Sequence, residues 1–172
     1  MEESDLLLRR CQRGDESALD ALVHLHQDGV YRLAWRVLRD AVAAEEAVAD
    51  VFVKIWSKCE QWQGQASAAT WIYRVAYRTI LDTHRSRSRR QKRFLPLPPS
   101  CEASNSKAET SSLHDAIAQL PVADQALVHL FYFERNSLAE IEAILGVGRE
   151  ALKMRLARAR QKLRAILEAN HE

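Results

Sequence analysis

The sequence predicts an all-α fold: two small helical domains, the second carrying a helix-turn-helix, joined by a flexible linker. Three observations lead there. Glycine and proline are scarce, 5 and 4 in 172 residues, while 47% of residues are hydrophobic, a balance that suits helices packed around a core. Apolar residues recur at steps of three and four along almost every segment, the period of one helix face. The exception is 94–110, FLPLPPSCEASNSKAET, which holds three of the four prolines and shows no apolar period. It reads as a linker between domains 1–93 and 111–172. Each part is small enough for its own core to be marginal. On such a tether the two have no fixed separation until a partner sets one.

The first domain divides into helical segments. Residues 5–12 open it, and Gly14-Asp15 makes a turn whose Asp15 can cap a helix carrying Ala18, Leu19, Leu22, Val23 and Leu25. After an interruption at 26–29, a further stretch over 30–38 places Leu33, Ala34, Val37 and Leu38 on one side. Residues 43–58 follow, with Ala47, Val48, Val51, Phe52 and Ile55 inward and Glu45, Glu46, Asp50 and Lys54 outward. A polar loop over 60–69 precedes a long helix over 70–90, whose apolar face of Trp71, Ile72, Val75, Ala76, Ile80 and Leu81 is expected to be core. That helix ends in a cationic run including Arg85, Arg87, Arg89 and Arg90.

The second domain begins with helices over 112–119 and 122–134, Pro121 suiting the first turn because its missing N–H would be unpaired there. Residues 137–167 then give a short helix, a glycine turn and a long basic helix. Ser137 and Glu140 fit a capping box, Leu138, Ile141, Ile144 and Leu145 form an apolar stripe, and Gly146 supplies the turn. Leu152, Leu156, Ala159, Leu163 and Ile166 bury one face of the second helix, and seven cations face a single acid, Glu150, between Arg149 and Arg164. This is the layout of a major-groove DNA reader, with a solvated basic helix as the plain alternative.

The net charge of +2 averages acidic and basic stretches, so the distribution carries the information. Cys11, Cys59 and Cys101 have no metal-ligand spacing and read as free thiols in a reducing compartment. The acidic start, MEESD, is unlike a signal peptide, and no apolar run approaches the ~20 residues of a membrane span. A cytoplasmic protein is expected, with no further domain beyond the basic helix. The six histidines show no metal motif, and no phosphate loop or nucleophile motif appears. Neither enzymatic activity nor a metal or cofactor is expected.

Three stretches together resemble the extracytoplasmic-function (ECF) sigma factors, a branch of the sigma-70 family. They are RGDESALDALV at 13–23, AAEEAVADVFVKIW at 43–56 with TWIYRVAYRTILDTHRSRSRR at 70–90, and the long segment from LPVADQ through RARQKLR at 120–164. They follow the family's order and spacing. The resemblance implies a sigma-2 and a sigma-4 domain directing promoter-specific initiation by RNA polymerase. It implies core polymerase as partner, through the β′ clamp helices and the β flap, with Glu45, Glu46 and Asp50 meeting clamp arginines. Around the polar loop it implies capture of an unstacked base of the −10 element, with Trp62, Gln63, Gln65 and Arg74 as candidates and Arg85, Arg89 and Arg90 on phosphates. In the helix-turn-helix it implies −35 recognition by Arg149, Lys153 and Arg155, with Arg158 further along. Two positions depart from the usual pattern: Glu142, where the family commonly has alanine, and Ala151, where a hydroxyl is common. Ala68 and Ala69 likewise stand where an aromatic and a basic residue are usual. An anti-sigma factor is the expected inhibitory partner. The other reading is a two-domain helix-turn-helix regulator that is not a polymerase subunit; an acidic docking helix beside an Arg-rich one, without a ligand-pocket pattern, argues against it.

Overall fold

A computed structural model describes residues 3–93 and 108–169, all helices and connecting turns. In the first half α1 spans Glu3–Cys11, α2 Glu16–Leu38, α3 Ala41–Lys58 and α4 Ala68–Arg93, with a 3-10 turn at Cys59–Gln61. In the second half α5 spans Ala108–Ala118, α6 Val122–Val128, α7 Leu138–Leu145 and α8 Arg149–Ala169. Most of the expected linker, with Cys101, lies outside the described residues; its last three positions, 108–110, are helical.

Helix α2 runs unbroken where the sequence suggested an interruption at 26–29. The glycine there serves a tertiary purpose. A Cβ at Gly29 would collide with the Tyr73 hydroxyl, so the residue clears space for α4 instead of ending α2. The helix accepts the ~0.5–1 kcal/mol cost of an internal glycine. It stops at Arg39, in left-handed conformation with φ 53, whose N–H bonds to the Trp35 carbonyl.

Asp40 starts α3 two residues before the expected position and also joins α3 to α4. Its Oδ1 accepts from the Ala43 N–H at 2.9 Å and its Oδ2 from Arg87 at 2.7 Å. The Ala43 amide, then Arg87, holds this carboxyl below the usual carboxylate range. Asp5 ties α1 to α4 in the same manner, accepting from the Ala68 N–H at 2.7 Å. The expected helix over 122–134 divides: α6 passes into one wider, π-type turn at His129–Phe133. That turn places His129 fully inside while Tyr132 and Phe133 remain exposed.

Leu8, Leu22, Leu33, Ile55, Ile72 and Ile80 centre the first core, and Ile117, Leu127, Leu130, Ile141, Ile144 and Leu152 the second, all fully buried. The two cores are continuous. Helix α7 packs on α4 and α6 on α2, so the halves are not the independent bodies the sequence suggested. A polar seam explains why. The Glu134 carboxylate accepts from Tyr73 of α4 at 2.6 Å and from Arg32 of α2 at 3.0 Å, with the His129 ring 3.3 Å away. His129, Tyr73 and Arg32 hold the Glu134 carboxyl down to about 2. Arg36, buried and lowered to about 10 chiefly by desolvation, lies 4.3 Å from the centre of the Phe133 ring.

Candidate nucleic-acid and partner interfaces

The helix-turn-helix forms as its sequence dictates. Ser137 Oγ accepts from the Glu140 N–H while the Glu140 carboxylate accepts from the Ser137 N–H, a complete capping box. Gly146 closes α7 at φ 70, a conformation and not a crowded space requiring glycine. Leu152, Leu156 and Ala159 anchor α8, leaving Leu163 and Ile166 only half-buried.

The cations of α8 fall into different environments. Arg149, its first residue, is outward, and its Nε lies 2.9 Å from Glu142 of α7. Lys153 is outward and bonds Glu150 one turn back at 2.8 Å. Arg155 departs from the expected DNA-facing position. It is only partly exposed and pairs with Asp124 of α6 at 3.1 Å, so it braces α8 against α6. Arg158, Lys162 and Arg164 are exposed. Arg160 donates to the Tyr132 hydroxyl at 2.6 Å.

In the first half Trp62 is buried where an open stacking face was expected, while Trp71 packs against the core from a half-buried position. Trp62, a candidate for base stacking, is 5% exposed, and its indole N–H donates to the Ala66 carbonyl at 2.9 Å. Gln12 donates to the Trp62 carbonyl at 2.7 Å, and Arg9 covers the ring at 5.4 Å. Trp62 therefore anchors the loop and offers no free face in this conformation. Trp71, expected in the core, is only half-buried. Gln63, Gln65 and Arg74 are exposed, the two amides bonded to each other at 3.0 Å. Arg85, Arg89 and Arg90 line the outer end of α4, Arg85 with Asp82 at 3.9 Å, while Arg87 is committed to Asp40.

Glu45, Glu46 and Asp50 are all exposed on α3 and form no ion pair among the described residues. Sequence reasoning missed what stands beside them: Val42 and Val53, 65% and 67% exposed on the same helix. Their sparing from the apolar stripe of α3 was the available signal. It also missed an apolar groove between α5, the wider turn and the end of α8, lined by Leu113, Ile117, Tyr132, Phe133, Leu163 and Leu167 and edged by Arg160 and Arg164. This groove requires the π-type turn, which no local pattern announces.

No helix among the described residues is long and apolar enough to cross a membrane, and these residues form no metal-ligating cluster. Cys11 and Cys59 are buried and free; burial pushes the Cys11 thiol up to about 11 and raises Cys59 as well, which keeps both in the unreactive thiol form.

Two family models match the chain: sigma-70 region 2 over residues 22–90 and sigma-70 region 4 over 110–163. The RNA polymerase sigma-H factor of Pseudomonas aeruginosa is 25% identical over 97% of this chain and 95% of its own length. The ECF RNA polymerase sigma factor SigE of Mycolicibacterium smegmatis is 30% identical over 90% of this chain and 64% of its own length. Among solved structures, CnrH in complex with the cytosolic domain of CnrY superposes with a TM-score of 0.76 at 22% identity, covering 97% of this chain and 99% of that one. RpoE bound to the anti-sigma factor NepR from Bartonella quintana gives 0.72 at 19% identity, covering 87% and 96%. With both sigma-70 regions matched in order and ECF sigma factors among the relatives, the chain belongs to the ECF branch of the sigma-70 family of RNA polymerase sigma factors.

Proposed function

We propose that this sigma factor, a cytoplasmic protein without catalytic activity of its own, docks on core polymerase through α3, with Glu45, Glu46 and Asp50 meeting cations of the β′ clamp helices. The observation that carries this reading is that these acids are exposed and form no ion pair among the described residues, whereas carboxylates elsewhere, at Asp40, Asp124 and Glu134, are spent on internal bracing. Val42 and Val53 add apolar contact beside the charges. The groove around Tyr132 and Phe133 suits the β flap. Residues 1–93 serve the −10 element, with Gln63, Gln65, Arg74 and the half-open Trp71 near the base and Arg85, Arg89 and Arg90 on phosphates. Residues 111–172 serve the −35 element through Arg149 and Lys153, with Arg158 nearer the backbone, and 94–110 connect them.

This function requires the halves to part. The two elements lie roughly 25 base pairs apart, about 85 Å at 3.4 Å per pair, while a folded chain of this length has a radius of gyration of about 16 Å. The fourteen residues between α4 and α5 reach at most about 50 Å, and the two helical halves, each roughly 30 Å across, make up the rest of the distance once the seam opens. Core polymerase sets the spacing. The likeness to RpoE, solved with an anti-sigma factor, supports an inhibitor that holds the halves together or covers α3.

The test is competition for core polymerase between the wild type and the double variant Glu46→Lys, Asp50→Lys. Both residues are on the wet face, so circular dichroism should be unchanged while core affinity falls about 100-fold. Unchanged affinity would reject α3 as the docking face.

A further inference from the structure

We propose that Glu142 positions Arg149 so that the first residue of α8 selects guanine at one position of the upstream promoter element. This rests on the reading of α8 as the major-groove helix. The turn at Gly146 brings the last turn of α7 against the first residue of α8, and the Glu142 carboxylate lies 2.9 Å from Arg149 Nε. The contact is made through Nε, and among the described residues the guanidinium pairs with no second carboxylate. The Arg149 side chain is 62% exposed, so its terminal Nη1 and Nη2 pair faces outward. A fixed Nη1 and Nη2 fork matches the O6 and N7 acceptors that only guanine presents together in the major groove. The N-terminal residues of such a helix are the ones that reach base edges.

The pair has little else to do. At 62% and 40% side-chain exposure it contributes little to stability, and α7 is already closed by its capping box and Gly146. An arginine held by a carboxylate loses less rotamer freedom when it meets a base, which favours the matched sequence over random DNA. The carboxylate also lies in the helix-turn-helix groove, beside Ala139, Glu150 and Ala151, where it repels backbone phosphate. Glu142 thus removes indiscriminate affinity and sharpens the matched contact. Lys153 lacks this arrangement: its partner Glu150 is on its own helix, three residues back, and a lysine has no planar fork to orient.

The experiment uses the full chain with core polymerase on promoter fragments randomised across the upstream element, comparing wild type, Glu142→Ala, Glu142→Gln, Arg149→Ala and the Glu142→Ala, Arg149→Ala double variant. The expected result is a guanine preference at one position that falls about tenfold or more in Arg149→Ala. It should fall by a comparable factor in Glu142→Ala, no further in the double variant, and largely survive in Glu142→Gln, whose carbonyl keeps a neutral oxygen beside Nε. If Glu142→Ala and Glu142→Gln strengthen binding to all sequences equally and leave the base preference intact, the carboxylate acts only as a charge and the proposal is overturned. If Arg149→Ala leaves every base preference unchanged, the base-reading role of α8's first residue fails, and the proposal with it. If Arg149→Ala alone abolishes the guanine preference, the reading of α8 stands and Glu142 has no positioning role.

Discussion

The two halves of this protein treat charge in opposite ways. On α3 the acids Glu45, Glu46 and Asp50 face solvent with no internal ion pair among the described residues, whereas the leading cations of α8 each meet a carboxylate: Arg149 with Glu142, Lys153 with Glu150, Arg155 with Asp124. The face proposed for a protein partner is uncommitted. The face proposed for DNA, a polymer that attracts every cation, is restrained. A sigma factor whose leading α8 cations were all unpaired would be drawn more strongly to random duplex; here Arg149 and Lys153 each already meet a carboxylate.

The seam gives the largest way to break that contrast, because Glu134, with its side chain 12% exposed, accepts from both Tyr73 and Arg32. Glu134→Ala leaves Tyr73 and Arg32 without their acceptor and should cost about 3 kcal/mol of stability, read by denaturant titration, with a larger radius in small-angle scattering. Unchanged radius and stability would show that the halves are held by apolar packing alone.

Arg155 sharpens the comparison within α8. Arg155→Ala removes a partly enclosed brace to Asp124 and should lower stability by about 2 kcal/mol while leaving base preference on the −35 element unchanged. A base-specific loss without destabilisation would return Arg155 to the DNA-reading set.

The seam and its surroundings also set a pH dependence. Burial lowers the His26 and His129 pKa values below the usual 6.5. The folded chain therefore stays neutral where the unfolded chain takes up protons, and stability declines as pH falls below about 6.5. Glu134 adds to the decline at lower pH, since its stabilisation is complete above the ordinary carboxyl range and is lost as pH falls toward its folded value of about 2. A drop of about 1 kcal/mol between pH 7 and 5.5 is expected for wild type, measured by denaturant titration at each pH. A flat profile would mean that these histidines protonate inside the fold.

The smallest effect concerns Lys153. Glu150→Gln releases it from an exposed, solvent-screened pair and should raise affinity for random duplex less than twofold at physiological salt, with no change in base preference. A larger gain would mean that the restraint on α8 rests on Glu150 as much as on Glu142.

How much of this was legible in the sequence depended on whether the cause was local. Ser137, Glu140 and Gly146 specify the ends of α7 by short-range hydrogen bonding and backbone conformation, so the helix-turn-helix could be read directly. Gly29 looked like a break because its reason, the Tyr73 hydroxyl, lies 44 residues away in another helix. Arg155 looked free because Asp124 is 31 residues upstream. Trp62 was a stacking candidate only through the resemblance, which says nothing of the Gln12, Arg9 and Ala66 contacts that enclose it, while Trp71 packs against the core as its spacing suggests but stays half-buried. The acidic face of α3 was plain from spacing, while its role came only from resemblance. The packing of the two halves depends on Glu134 at the end of a π-type turn, and no periodicity marks such a turn in advance.

The central claim, that this chain confers promoter selectivity on polymerase, is tested most directly by run-off transcription. Core polymerase and the purified protein, with no other sigma factor, would be given a library of bacterial promoter fragments, and the starts mapped. Defined start sites sharing a −35 and a −10 element are expected, absent without the protein and lost with Glu46→Lys, Asp50→Lys. Specific DNA binding by the protein without any initiation by core polymerase would contradict it, and would identify a regulator that acts without being a polymerase subunit.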